Sequence, residues 1–387
     1  MCKQAYKFRL YPTRKQEQLL TWTLDRAREL YNAALQERTD AYRMAGKSIT
    51  YYDQAHQLPG MKEVREEYRD IHSQVLQDVL RRVEKAMKAF FRRVKAGAKP
   101  GYPRFQGRNR YDSFCYPQGG YSLTADNRVC LSKIGSIKVK LHREIRGQIK
   151  TCTIKREGDV WYIVFSCEAE PLPRLPYTDE AIGIDLGLTH FVTLSTGDTI
   201  DNPRHFRKAE KKLATAQQQL ARKKKGSHRR KKAAKQIGKL HRKVRRQRQD
   251  FLHKQSRQLV NTYEVLVFED IKPGNLSKQP KPKQDAQTGQ YLPNGASSKS
   301  GLNKSIQDAG WSQFIAMCEY KAESAGRSVV RVDPRYTSQV CSGCGTVRKK
   351  DLSQRWHSCD CGTELDRDHN AAINILRLGQ NLRGTRP

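Results

Sequence analysis

The sequence predicts an α+β, multidomain chain. Amphipathic helical stripes dominate residues 13–95, short alternating runs follow at 136–169, and from Ala181 onward apolar strand-like runs and helices lead to a cysteine cluster. A length of 387 residues suits roughly two or three domains. Seventy-four Lys and Arg against 39 Asp and Glu leave a net charge of +35 and a pI near 10.0. Such a chain repels its own copies and attracts polyanions, and nucleic acid is the default partner. No apolar run reaches the ~18 residues a membrane span needs, and no signal peptide opens the chain, so a cytoplasmic, nucleoid-associated protein is expected.

Taken in order, Gln4–Leu10 alternates as a strand. Pro12-Thr13 then opens a helix with capping-box spacing between Thr13 and Gln16, and its apolar stripe runs to about Glu37. A second helix is expected over Ser73–Lys95, with Leu76, Val79, Leu80, Val83, Met87, Phe90 and Phe91 on one side and arginines on the others. From Lys99 the chain turns to Pro, Gly, Arg and aromatics, which suits either a basic linker or a surface that holds phosphates and stacks bases. Arg104, Arg108 and Arg110 are its candidate backbone contacts. Runs at Ser136–Leu141, Ile149–Lys155 and Val160–Ala169 read as strands of a small barrel or curled sheet, and the prolines at 171–176 mark a boundary.

Ala181–Leu194, AIGIDLGLTHFVTL, places Asp185 inside an apolar hairpin just before a glycine pair-breaker, Gly187. A carboxylate there either caps a turn or is paired with a metal, since desolvating it alone costs several kcal/mol. Arg204–Arg257 then carries 22 Lys or Arg among 54 residues, with only Glu210 and Asp250 acidic. It reads as a helical hairpin broken near Gly226-Ser227, its charges solvated or bound to phosphate; Arg222, Arg229, Arg230, Arg242 and Arg245 are the candidates. Val265–Phe268 is a buried-type strand ending in Glu269-Asp270. Residues 272–300 read as a mobile loop, Ser305 to about Ala325 as one helix, and Ser328–Val332 as a strand.

Six cysteines (Cys2, Cys115, Cys130, Cys152, Cys167, Cys318) are scattered and read as packing residues. The other four, Cys341-x2-Cys344-x14-Cys359-x-Cys361, have the spacing of one structural zinc site, with His357 as a substitute ligand because the second pair is tight. Leu365–Leu376, LDRDHNAAINIL, opens a last helix with Asp366 and Asp368 at its start, and Arg377–Pro387 is expected to fray. An Asp on a hairpin strand, a Glu ending a later strand and an Asp opening a final helix can converge in an RNase H-like sheet around two Mg²⁺.

The motifs GIDLGL, VFEDI, YTSQVCSGCG and LDRDHNAAINIL, with YKFRLYPT and GYPRF upstream, resemble the TnpB family, transposon-encoded RNA-guided nucleases related to type V CRISPR effectors. That resemblance implies a RuvC nuclease over 178–340 and 364–387 with a zinc-binding, target nucleic-acid-binding insertion at 341–363. Ahead of it come a β-barrel wedge domain (1–12 and 108–177) and a helical recognition module (13–107). It implies Asp185, Glu269 and Asp368 as catalytic, metal-binding carboxylates, with Asp366 supporting the turn, and a guide RNA (omega RNA) with double-stranded DNA as partners. The target is cut beside a short transposon-associated motif, for which Tyr52, Gln74 and Gln77 are candidate readers. The rival expectations are a nuclease-inactive, RNA-guided DNA-binding regulator and an RNA-independent transposase or resolvase.

Overall fold

Tyr6, Phe8 and Leu10 alternate with Lys7 and Arg9, which gives β1 (Cys2–Tyr11) one dry face. In this computed structural model residues 2–384 are described, apart from Asn109, Leu172 and Leu352; the side chains of Cys2 and Arg383, and residues 1 and 385–387, lie outside the described residues. The chain divides after Pro171 into two units, 1–171 and 172–387.

In the first unit, Thr13 caps α1 (Arg14–Ala45) with both bonds of the expected box, Gln16 N to Thr13 Oγ1 at 3.3 Å and Thr13 N to Gln16 Oε1 at 3.0 Å. The helix runs past the expected end at Glu37. Arg38 explains the extension, because its buried guanidinium is bonded to Glu84 at 2.6 Å and to Gln54 at 2.9 Å. Short helices α2 (Tyr51–His56) and α3 (Leu58–Val64) and a 3-10 turn (Glu66–Asp70) lead to α4 (Ser73–Lys95), which has the expected bounds. Its stripe is buried from Val75 to Val83, whereas Phe91 is 57% exposed, so only the first half of α4 is core.

The strands β2 (Ser113–Tyr116), β3 (Tyr121–Thr124), β4 (Arg128–Leu131), β5 (Gly135–Lys140), β6 (Gln148–Glu157) and β7 (Val160–Ala169) join β1 in an antiparallel sheet of order β2-β6-β7-β1-β5-β4-β3. β2 lies inside the segment read as either a basic linker or a surface for phosphates and bases. The edges β2 and β3 are joined by only the residues between Tyr116 and Tyr121, a reach of about 17 Å, whereas seven flat strands would be about 29 Å wide. The sheet must therefore curl. It forms a half-barrel that a loop bridges and hydrogen bonds do not close, the curled-sheet form of the expected barrel or curled sheet. Of the scattered cysteines described, Cys115, Cys152, Cys167 and Cys318 are buried, as packing residues would be; Cys130 is half-buried.

In the second unit, β8 (Ala181–Asp185) and β9 (His190–Leu194) form the expected hairpin, extended by β10 (Thr199–Asp201). The basic helices are α5 (His205–Ala221) and α6 (His228–Thr262), broken at 222–227. Buried residues of α6 begin only at Val244, so the tip of this hairpin carries charge without core. Next come β11 (Val265–Glu269), the short α7 (Pro273–Leu276), and β12 (Lys283–Gln284) paired with β13 (Tyr291–Leu292). The expected mobile loop is thus partly structured. Residues expected as one helix are two, α8 (Ala296–Ala309) and α9 (Trp311–Ala325), because Gly310 between them takes φ +72°. β14 (Ser328–Val332), β15 (Trp356–Ser358), β16 (Glu364–Asp366) and α10 (Arg367–Gly384) complete the unit. The expected fraying from Arg377 is overturned up to Gly384, while the last three residues lie outside the described residues.

The main sheet here has order β10-β9-β8-β11-β14, with β8, β11 and β14 parallel. On β11, Leu266 and Phe268 face a core built with α6 and α9, and Val265 and Val267 face a second core with Ile375 of α10. A strand dry on both faces is what an uninterrupted apolar run encodes. Among the described residues no helix is long and apolar enough to cross a membrane.

Candidate functional site

Strand period and register bring two carboxylates together. Val267 is opposite Gly183 and Phe268 opposite Ile184, so the next rung of these parallel strands holds Glu269 and Asp185. Both continue the set of alternate residues that faces α10. Helix α10 lies unusually close to that face: a Cβ on Gly183 would stand 2.0 Å from the Ala372 carbonyl oxygen, and one on Gly379 would stand 2.5 Å from Val267 Cγ atoms. Ala371 and Ala372, both buried, keep the interface thin. The helix therefore delivers Asp368, in its first turn, over the carboxyl ends of β8 and β11.

Asp366 caps the helix that carries Asp368; its Oδ1 accepts the amides of Asp368 at 2.8 Å and His369 at 3.3 Å. Gly187, in the β8–β9 turn, is required by space: a Cβ there would lie 2.8 Å from the His190 carbonyl oxygen and 3.8 Å from Asp368 Oδ2. Burial pushes the Asp185 carboxyl well above the usual range, and Glu269 and Asp368 push it further. Burial also raises Glu269, with Asp368 adding to it, while a hydrogen bond from the Thr337 hydroxyl opposes the rise. Arg367 bridges to Asp368 at 3.4 Å. Three acidic groups held together against their own repulsion, with a single arginine beside them, are chemically suited to divalent cations.

The four cysteines Cys341, Cys344, Cys359 and Cys361 have sulfurs all within 4.8 Å of one another. Among the described residues this is the set of metal-type ligands that converges so tightly. Cys341–Cys361 and Cys344–Cys359 sulfur separations are each 3.6 Å. A tetrahedron with Zn–S bonds of about 2.3 Å has edges of about 3.8 Å, so these residues fit zinc. The four sulfurs converge without His357, which is buried with its Nδ1 paired to Lys350 Nζ. Burial works to raise the Cys341 thiol, yet the amides of Cys344 and Gly343 and the neighbouring His357 bring it down to about 5, as a thiolate ligand needs.

Helix α10 also holds this metal loop. Asn370 Oδ1 accepts the Ser342 amide at 2.9 Å and its Nδ2 donates to the Val340 carbonyl at 2.7 Å; Asn374 Nδ2 donates to the carbonyls of Thr337 at 2.9 Å and Val340 at 2.7 Å. Sequence reasoning missed Thr337 and Asn374. The available signal was two asparagines four residues apart on the face that also carries Ala371 and Ile375, where buried polar groups demand partners.

The proposed motif readers stand on different footing. Tyr52 on α2 is 72% exposed, Gln77 is half-buried, and Gln74 accepts the Gly119 amide at 3.1 Å. Arg104, Arg108, Arg110, Arg222, Arg229 and Arg245 are exposed and Arg242 is half-buried. Arg230 is committed to the hairpin turn, its Nη1 donating to the carbonyls of Leu220 at 2.9 Å and Lys223 at 3.0 Å.

The chain matches family profiles described as "Probable transposase" (OrfB_IS605) over residues 164–279, as "Cas12f1-like, TNB domain" over 311–375 and as "Helix-turn-helix domain" over 1–47. That last stretch is here a strand and one uninterrupted helix. It is 34% identical to the "Putative RNA-guided DNA endonuclease InsQ" of Escherichia coli K12, over 97% of this chain and 92% of that one. It is also 34% identical to a "Putative RNA-guided DNA endonuclease" of Streptomyces pristinaespiralis, over 97% and 89%. A cryo-EM structure of CasPhi-2 (Cas12j) bound to crRNA is similar at 10% identity over 98% of each chain, with a TM-score of 0.48.

Proposed function

The chain belongs to the TnpB family of RNA-guided DNA endonucleases, and from that premise we propose how its residues divide the work. It is an enzyme that cuts DNA selected by a guide RNA. The observation that carries the catalytic reading is the shared rung of Asp185 and Glu269 beneath the first turn of α10. Asp185, Glu269 and Asp368 are the catalytic carboxylates and would hold two Mg²⁺, a hard cation that takes oxygen ligands. Bound there, the metals would supply an activated water and neutralise the leaving oxygen of the phosphodiester. Thr337 fixes the direction of Glu269, Asp366 caps the helix that carries Asp368, and Gly187 keeps the β8–β9 turn clear of the reacting phosphate.

The strand order of the second unit, an antiparallel three-strand edge followed by two parallel strands, supports an RNase H-like, RuvC-type nuclease over 178–340 and 364–387. The 341–363 insertion holds one structural zinc through Cys341, Cys344, Cys359 and Cys361. The half-barrel, within 1–12 and 108–177, is the wedge, and the helices within 13–107 are the recognition module. Tyr52 and Gln77 read a short DNA motif beside the target, and Gln74 does so only if it leaves Gly119. The exposed arginines of 104–110 and of the α5–α6 hairpin hold nucleic-acid phosphates.

The test is sequencing of the RNA that co-purifies with the full chain, with cleavage of matching double-stranded DNA in Mg²⁺. Asp185→Ala is expected to keep the RNA and lose cleavage by at least 10³-fold, on the order of 4 kcal/mol of barrier. Undiminished cutting by that variant would remove the carboxylate assignment. Cutting that survives removal of the RNA would favour the RNA-independent resolvase.

A further inference from the structure

Among the described residues, four non-glycine residues have left-handed backbone: Asn127, Lys133, Arg204 and Tyr336. Asn127 and Lys133 sit in the turns on either side of β4, where such geometry is ordinary. The other two flank the carboxylates. Arg204 reaches the Leu188 carbonyl, next to Gly187, at 3.4 Å, and Tyr336 immediately precedes Thr337.

Tyr336 has φ +63°, a conformation unfavourable for a bulky aromatic residue. Its carbonyl is pinned by the amides of Gln339 at 2.8 Å and Val340 at 2.9 Å, so the turn does not relax. The residue is 60% exposed, so packing within the protein does little to offset that strain. Glycine or asparagine would make the same turn at less cost. The turn instead sends two neighbouring side chains opposite ways: Thr337 is buried with its hydroxyl on Glu269, and Tyr336 faces solvent. Arg335, whose side chain is 81% exposed, precedes the ring. An exposed aromatic with an adjacent cation, one residue from a group that touches a catalytic carboxylate, has the composition of a single-strand stacking site.

We propose that Tyr336 is a substrate-contacting residue: its ring stacks on a base of the single-stranded DNA entering the nuclease site, with Arg335 on the neighbouring phosphate. The inference rests on the carboxylate reading above. Stacking suits this enzyme because every base offers a π-face, so a nuclease whose sequence is chosen by a guide can grip whatever strand arrives.

The test uses the full chain with its co-purified RNA, in an Asp185→Ala background that binds without cutting. Target DNAs carry 2-aminopurine at successive positions across the cleavage site. One position is expected to be quenched on binding, to brighten several-fold when Tyr336→Ala is added, and to stay quenched with Tyr336→Phe. In the cleaving protein, Tyr336→Ala should slow cutting by about 5- to 150-fold, the span that 1–3 kcal/mol of stacking represents. An abasic nucleotide at that position should slow the parent but add nothing to Tyr336→Ala. Tyr336→Gly should match the alanine variant in cleavage while melting no lower than the parent. Identical fluorescence with and without the ring overturns the proposal, as does a slowed glycine variant that melts well below the parent, which would mark a structural role. Cleavage surviving Asp185→Ala would instead remove the carboxylate reading, and the fluorescence result would stand apart from it.

Discussion

Replacing Gly183 with alanine should force α10 off the sheet and carry Asp368 with it. The added Cβ would lie 2.0 Å from the Ala372 carbonyl oxygen, 2.7 Å from the Leu376 amide nitrogen and 2.9 Å from Leu376 Cβ, whereas ordinary contact begins at 3.4 Å. Two of those neighbours are backbone, so no rotamer change relieves them, and the helix must retreat by about 1.4 Å at this point. Overpacking of this kind costs about 1–3 kcal/mol of stability. A misplacement near 1 Å in a catalytic constellation costs about 10²-fold in rate, or close to 3 kcal/mol of barrier. The assay is single-turnover cleavage by the RNA-loaded protein, with melting temperature and RNA content measured in parallel. A Gly183→Ala protein that retains its RNA, melts a few degrees lower and cuts about a hundredfold more slowly fits the geometry. Gly379→Ala meets Val267 side-chain atoms about three turns from Asp368 and should slow cutting less. A folded Gly183→Ala enzyme with the parent rate would refute the argument that close packing of α10 positions Asp368.

Asp185 gives the pH dependence. A carboxyl raised by burial and then by Glu269 and Asp368 binds more protons in the folded than in the unfolded chain, so the metal-free protein should lose stability as pH rises from the ordinary value of 3.8 through the raised one. Melting scans of metal-free parent and Asp185→Asn across that window should diverge, the parent becoming the weaker, and Mg²⁺ should close the gap. Metal analysis should find one zinc per chain, and Cys344→Ser should lower it; since Asn370 and Asn374 tie that loop to α10, cleavage should fall more than RNA retention. On the basic hairpin, Arg222→Ala with Arg229→Ala should flatten the salt dependence of RNA binding by a slope of about 1.5. Arg230→Ala should chiefly lower the melting temperature, because its guanidinium caps the carbonyls of Leu220 and Lys223.

Where a signal is local, the sequence was a sufficient guide. The Thr13–Gln16 box opened α1, a 3.6-residue stripe delimited α4, and an apolar, strand-forming run delimited β7. Each is written in the few residues that make it. The misreadings came where distant partners decide. Arg38 prolongs α1 because Glu84 and Gln54 receive its charge, and the four-residue β2 is a strand only because β6 pairs with it. Gly310 was a local signal passed over, since a glycine inside a helical pattern is tolerated until the chain on both sides packs at an angle.

For the site, the order of residues supplied Asp185, the acidic pairs Glu269-Asp270 and Asp366/Asp368 and the four cysteines as candidates, since acidic residues in apolar runs and paired thiols are costly without a purpose, and the family resemblance singled out Glu269 and Asp368. Tertiary structure decided what they can do together. Register put Asp185 and Glu269 on one rung, the absence of a side chain at Gly183 let α10 bring Asp368 down to them, and the turn at Tyr336 aimed Thr337 at Glu269. Composition and spacing act over a few residues, whereas convergence over 183 residues of chain, from Asp185 to Asp368, is a property of packing, which no local pattern contains.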